Sequence, residues 1–218
     1  PKTEESRKTW RVLLTPSMRR VLTIGIVLAV FQQWCGINII FNYAQEIFAA
    51  AGYGISQTMM NIVVTGITNV VFTLVALFTV DRLGRRTLLL LGAAGLSCAY
   101  LILSLAYFYG VTGFPMLAIV VAAIACYSVS LAPVMWVVVS EIFPTAVRGA
   151  AMGVATFALW TACFILTYTF PMLNAGLGAS GTFLLYGIIC IAGLLFIIRC
   201  VPETKGKTLE EIERELVK

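Results

Sequence analysis

The sequence predicts an all-α integral membrane protein that crosses the bilayer six times. Three observations lead there. The 218 residues are 60% hydrophobic and only 11% charged, whereas a soluble domain carries roughly a quarter of its residues as charges. Apolar stretches of about 20 residues, the length that crosses about 30 Å of hydrocarbon, recur along the whole chain. All 15 Lys and Arg are confined to 1–20, 82–86, Arg148 and 199–218.

The predicted spans are 21–50, 57–80, 87–109, 115–140, 149–172 and 181–200. The first is too long for one straight crossing and contains Gly36, where a helix can bend or unwind. In the fourth, Pro133 removes an amide donor and clashes one turn back, which predicts a kink. The connections around 51–56, 110–114 and 173–180 contain no charge, and the other connections hold the cations. Six crossings put these two sets on opposite faces, and the positive-inside rule makes the basic face, with both chain ends, cytoplasmic. The net charge of +5 is therefore a topology signal and does not point to nucleic acid.

Residues 1–20 are polar and basic with no apolar run, so they read as no signal peptide. The start at Pro1 suggests a segment of a longer chain. The six cysteines lie in or at the ends of spans without metal-ligand spacing, and read as small packing residues. With no His in the chain, His-based catalysis and proton relay are excluded. No nucleophile–base pair or metal cluster appears, so the sequence predicts no enzyme, no metal and no cofactor. Gly206-Lys207-Thr208 lacks the upstream Gly of a phosphate loop, since Val201 stands there. Gly176-x-Gly178-x-x-Gly181 links two apolar spans and reads as a flexible outer loop. Gly149-x-x-x-Gly153 reads as a close-packing helix face.

Polar residues at membrane depth are costly unless they face protein or a water-filled cavity, so they carry the functional information. The first span holds Gln32, Gln33, Asn38, Asn42, Gln45 and Glu46. Asn38, Asn42 and Gln45 or Glu46 share one helical face. They line a cavity or else satisfy one another between helices, and their density favours the cavity. The second span adds Asn61, Thr65, Thr68 and the central Asn69; the fourth adds Ser128, Ser130, Pro133 and Trp136; the fifth adds Thr156, Trp160 and Thr161. Trp136 and Trp160 serve either as core packing or as aromatic faces for the C–H side of a sugar. No acidic residue lies at the centre of a span.

Short segments pairing acids with bases close the basic face: Asp81-Arg82-Leu83-Gly84-Arg85-Arg86, Glu141 with Arg148, and Pro202-Glu203-Thr204-Lys205-Gly206. They act either as topology signals or as a latch that holds one conformation and breaks in another. In the tail, Thr208 and Glu211 form a capping box before Leu209, Ile212 and Leu216, which share a face of a short amphipathic helix over 209–217.

These stretches, with Gln32-Gln33-x-x-Gly36-Ile37-Asn38, Tyr43, Gly66-x-x-Asn69 and Pro133-x-x-Trp136, occur in order over about 190 residues. Together they resemble the C-terminal six-helix half of the sugar porter family of the major facilitator superfamily. The resemblance implies two three-helix repeats and an alternating-access transporter of hexoses or pentoses in the cell membrane, either symporter or facilitator. It assigns 1–20 to the end of a cytoplasmic linker, 21–200 to the six-helix half and 201–218 to a cytoplasmic tail. By position, Gln32, Gln33, Asn38 and Asn69 would bind sugar hydroxyls, with Trp136 and Trp160 as candidate aromatic contacts. Asn42, Tyr43 and Pro133 would serve gating, and Asp81, Arg82, Arg85, Arg86, Glu141, Arg148 and Glu203 a conformational charge network. Its implied partners are a monosaccharide, the lipid bilayer and an N-terminal six-helix half. Leu159 and Cys163 stand where many family members carry amides, and Asn42 where Tyr is usual. A free-standing six-helix module that homodimerises, and a facilitator for another solute, are the alternatives.

Overall fold

The computed structural model describes residues 11–216, and every element among them is α-helical. The helices are α1 Pro16–Trp34, α2 Ile37–Asn42, α3 Ala44–Ala50, α4 Ile55–Leu83, α5 Arg85–Phe108, α6 Phe114–Val129, α7 Leu131–Ile142, α8 Arg148–Cys200 and α9 Leu209–Leu216. Five stretches among the described residues are long and apolar enough to cross a membrane: Met18–Asn42, Ile55–Leu83, Arg85–Phe108, Phe114–Ile142 and Arg148–Cys200.

The solvent for this fold can be read from α4. Its buried positions are Thr58, Asn61, Thr65, Thr68 and Ala76, while Met59, Met60, Val63, Ile67, Val70 and Val71 are exposed. The polar side chains recur every three or four residues, one helical stripe turned inward. In water this inversion would be untenable; in hydrocarbon the apolar face needs no protein cover and the hydroxyls do. Thr65 and Thr68 donate to the Ile62 and Val64 carbonyls of their own helix.

Two crossings are interrupted. Pro16 sits in the first turn of α1, where its fixed φ suits a helix start. The helix ends with the Cys35 amide on the Phe31 carbonyl. Gly36 then takes φ +85, and its carbonyl opens α2 by accepting the Ile39 amide. A second discontinuity, not anticipated, falls at Tyr43 between α2 and α3. In the fourth crossing the break lies at Ser130 (φ −130, ψ −89), three residues before Pro133. Pro133 has no amide for the Val129 carbonyl and its ring crowds that turn, so the distortion appears upstream of the proline. Gly92 of α5 lies against this junction, and a Cβ there would collide with the Ser130 side chain.

α8 is the expected pair of helices, joined through a kink at Gly178 where a longer loop was expected. Helix continues through 173–180, and Gly178 alone is non-helical (φ 68, ψ 175). Its 53 residues would stretch about 80 Å if straight. Instead both limbs lie along the same first helices. Before Gly178, Ala162 accepts from Trp34 and Thr167 from Tyr43; after it, Tyr186 packs on Gly36 and Phe31 on Gly193. The chain doubles back at Gly178. The stretch Leu173-Asn174-Ala175-Gly176-Leu177 tolerates helix, so only one glycine of the three is used for the reversal. Gly149 and Gly153 have open space where a Cβ would stand, so this small-residue face packs on nothing within the chain.

The core between α5 and the second limb of α8 is aromatic. Phe183 stacks on Tyr107 at 5.7 Å and on Tyr100 at 5.9 Å between ring centroids.

At the basic end α9 is capped as its sequence suggests: Thr208 donates its amide to Glu211 (2.8 Å) and its hydroxyl oxygen accepts the Glu211 amide (3.3 Å). Ile212 is buried and Leu209 exposed; the Leu216 side chain lies outside the described residues. The Thr208 amide and hydroxyl hold the Glu211 carboxyl below its usual value of 4.5. Its stabilisation of α9 is therefore present above that value and lost as pH falls through the lowered one. Amide exchange over 209–216 should show protection that falls with acid in the wild type and is insensitive to pH in Glu211→Gln. Thr208→Ala should weaken the helix by about 1 kcal/mol.

Candidate functional site

The breaks in α1–α2 and α6–α7 meet at a cleft of about 380 Å³. It is lined by the carboxamides of Gln32 and Gln33 from the end of α1, and of Asn38 and Asn42 from α2. The rest of the lining is Tyr127 from α6, Ala132 and Trp136 from α7, and Leu159, Trp160 and Cys163 from the first limb of α8.

The amides are ordered by one another. Gln32 Nε2 donates to the Leu131 and Ala132 carbonyls, both at 3.1 Å, in the first turn of α7. Gln33 Nε2 donates to Gln32 Oε1 at 3.3 Å. Asn38 Nδ2 donates to Gln33 Oε1, and also approaches the Cys163 sulfur at 3.7 Å. Donation thus runs from Asn38 through Gln33 and Gln32 to the backbone beside the Ser130 break. Gln32 and Gln33 are buried, so this chain sits where water cannot substitute for it. Each amide has two donors and two acceptor lone pairs. Gln32 spends both donors inside the protein, while Gln33 keeps one N–H, Asn38 its carbonyl oxygen, and Asn42 its whole carboxamide.

Trp136 is half-buried and Trp160 is 65% exposed. Such a lining offers both hydrogen-bonding groups and aromatic faces, the pattern that holds a small polyhydroxylated solute.

Asn69 is not part of the lining. Its Oδ1 accepts from Ser128 at 2.6 Å and ties α4 to α6. Tyr43 donates to the Thr167 carbonyl at 3.1 Å and packs on Phe170 at 4.5 Å, joining the α2–α3 junction to α8. Pro133 sits in the first turn of α7 below the amides.

The acids and bases gather at the far end of the bundle, through more than ion pairs. Arg85 meets Asp81 at 3.0 Å and Glu141 at 3.2 Å. Glu203 accepts the backbone amides of Arg85, Arg86, Thr204 and Lys205 at 3.0–3.1 Å. It therefore caps the positive end of α5. Gly84 makes room for it, since a Cβ there would stand 2.8 Å from the carboxylate. Arg86 donates to the Ile198 carbonyl, Lys205 to that of Arg82, and Arg148 to that of Phe143. Arg82, Arg86 and Arg148 make no ion pair among the described residues.

Sequence reasoning missed two contributors. Tyr127 reaches the cleft from an apolar run, where a tyrosine reads equally as core. Thr204 donates to Glu141 at 2.6 Å, and its only signal was a hydroxyl between Glu203 and Lys205.

Residues 2–216 match the sugar (and other) transporter family. The chain belongs to that family. It is a family of transporters, not of enzymes, and its sugar porter members are major facilitator proteins. The chain is 37% identical over 214 residues to the glucose transporter GlcP of Staphylococcus epidermidis, covering 97% of this chain and 48% of that protein. It is 38% identical over 199 residues to the D-xylose-proton symporter of Escherichia coli, covering 88% and 40%. Among solved structures, the major facilitator proton:xylose symporter XylE bound to 6-bromo-6-deoxy-D-glucose superposes with a TM-score of 0.83 at 33% identity, over 98% of this chain and 47% of that one. An inward-open XylE from E. coli gives a TM-score of 0.80 at 36% identity, over 90% and 42%. The family chain described here spans about half the length of these relatives.

Proposed function

We propose that this chain is the C-terminal six-helix half of an alternating-access membrane transporter for hexose or pentose sugars, and that it supplies most of the sugar-binding residues. The cleft is the observation that carries this reading: it is lined by a self-ordered row of amides together with aromatic side chains, and is set between two helix breaks. Gln32, Gln33 and Asn38 bind sugar hydroxyls and Trp136 packs on the ring, with Trp160 at the rim. Asn69 acts from beside the cleft, through Ser128. Asn42, Tyr43 and Pro133 lie at or next to the breaks and serve gating.

The two limbs of α8 support six crossings arranged as two three-helix repeats. The distribution of cations supports a cytoplasmic basic face that bears both ends of the chain. An N-terminal half would close the open side of the cleft and cover the bare Gly149–Gly153 face. Asp81, Arg82, Arg85, Arg86, Glu141, Arg148 and Glu203 hold the basic ends of the helices together in one state and release them in the other. The relatives include both a glucose transporter and a D-xylose-proton symporter. No carboxylate lies among the cleft-lining residues, so any proton coupling would reside in the other half.

Uptake of labelled hexoses and pentoses into vesicles bearing the full-length protein tests this. Unlabelled sugars should compete and organic anions should not. Gln33→Ala should weaken sugar binding by about 10-fold, one lost charge-free hydrogen bond of about 1.4 kcal/mol. Competition by organic anions and by no sugar would replace the substrate class; homodimeric transport by this chain alone would replace the half-transporter reading.

A further inference from the structure

α3 has a break at each end and is incompletely packed between them. Tyr43 interrupts the helix before it (φ −119, ψ 28), and Gly52 turns the chain after it with φ +84. A cavity of about 70 Å³ is lined by Gln45 and Ala49 of α3 together with Ile55, Thr58, Met59 and Ile62 of α4. A second, of about 20 Å³, is lined by Glu46, Ile47 and Ala50 of α3 together with Tyr107, Phe170 and Phe183. Apolar contact alone therefore holds α3 less firmly than a close-packed helix.

Among the described residues, one side-chain hydrogen bond reaches α3 from another helix. The Tyr107 hydroxyl of α5 donates to the Ile47 carbonyl at 2.9 Å. Phe183 fixes the Tyr107 ring in turn, stacked at 5.7 Å and 3° from parallel, so the hydroxyl stays directed at α3. The same carbonyl also accepts the Ala51 amide at 3.1 Å. Without the phenol it keeps a partner, so the bond sets where α3 lies and is not needed to satisfy the backbone.

We propose that the Tyr107 hydroxyl is a positioning group that holds α3 in its open-cleft position, and that its bond to Ile47 breaks each time α3 turns about Tyr43 to close on a bound sugar. This rests on the sugar-transport reading and adds a residue that regulates the same site. Closure that must break the bond draws on the binding energy of the sugar, so the bond lowers apparent affinity. Tyr107 is not among the cleft-lining residues and acts through α3.

Tyr107→Phe removes the hydroxyl and keeps the ring on Phe183, so it tests the bond alone. The probe is the hexose or pentose that competes best in uptake by the full-length wild-type protein. Calorimetric titration of that sugar into purified full-length Tyr107→Phe should give a Kd about 5-fold lower than wild type, the factor for one hydrogen bond no longer broken on closure. Labelled-sugar uptake in vesicles should show KM falling in step. A purely structural role would lower the amount of folded transporter, and with it the maximal rate, while Kd and KM stayed put. Unchanged or weaker binding by Tyr107→Phe overturns the proposal and leaves sugar transport standing. Competition by no sugar in the wild type removes the transport reading and this one with it.

Discussion

Gly36→Val will collapse both the stability and the sugar uptake of this protein, more than any single substitution at a cleft amide. Gly36 holds φ +85, which a β-branched residue adopts only at a cost of about 2 kcal/mol or more. A Cβ there would also stand 2.8 Å from Cγ of the fully buried Tyr186 ring. Relieving that overlap in a packed bundle costs about 1–3 kcal/mol more. The two penalties separate in a cycle. Gly36→Ala in a Tyr186→Ala background keeps the backbone strain and loses the collision, so the pair should be non-additive by about 1–2 kcal/mol. Thermal unfolding in detergent reads this, and labelled-sugar uptake reads its consequence, since Gln32, Gln33 and Asn38 flank the break. A Gly36→Val protein with wild-type Tm would mean that the left-handed turn is not what holds α1 and α2 at their angle.

The break at Gly36 was legible because a glycine stood among amides in a span too long to cross straight. The distortion before Pro133 was legible for the same kind of reason, as a missing donor. Its position at Ser130 follows from the geometry of the preceding turn. The reversal in α8 was not legible as built. Three glycines in an uncharged stretch read as a loop, yet the residues between them suit a helix, and only Gly178 takes a positive φ.

Within the site, the amides could be found from polarity at membrane depth, but the joining of Gln32, Gln33 and Asn38 into one hydrogen-bonded row depends on the break at Gly36 between them. Tyr127 could not be found that way, because its ring suits an apolar core and only its position beside the α6–α7 break turns it to the cleft. Asn69 shows the converse limit. Its depth in α4 suggested the cavity, but the distance across to α6 gave its oxygen to Ser128. At the basic end, side-chain charges suggested ion pairs for Glu203. The four amides that engage it belong to backbone, which carries no mark in a sequence until the fold brings a helix end to the carboxylate.

That difference between charge pairs and backbone caps sets a second large effect. Arg85→Ala should destabilise the protein by about 3 kcal/mol, whereas Arg82→Ala should stay within about 0.5 kcal/mol. The Arg85 and Glu141 side chains are only 16% and 22% exposed, so removing the guanidinium leaves Glu141 nearly desolvated with the Thr204 hydroxyl as its remaining partner. Asp81 is 75% exposed and loses little. Arg82 is exposed and its side chain makes no ion pair among the described residues, so its charge has nothing buried to compensate. If an uncompensated Glu141 is the cause, Glu141→Gln should recover much of the loss in the Arg85→Ala background, because a neutral amide there is far cheaper to bury. It should do harm when Arg85 is present. Tm values of the four proteins decide this. Equal losses for Arg85→Ala and Arg82→Ala would mean that the end of the bundle is held by Glu203 on the α5 amides alone, with the ion pairs contributing nothing.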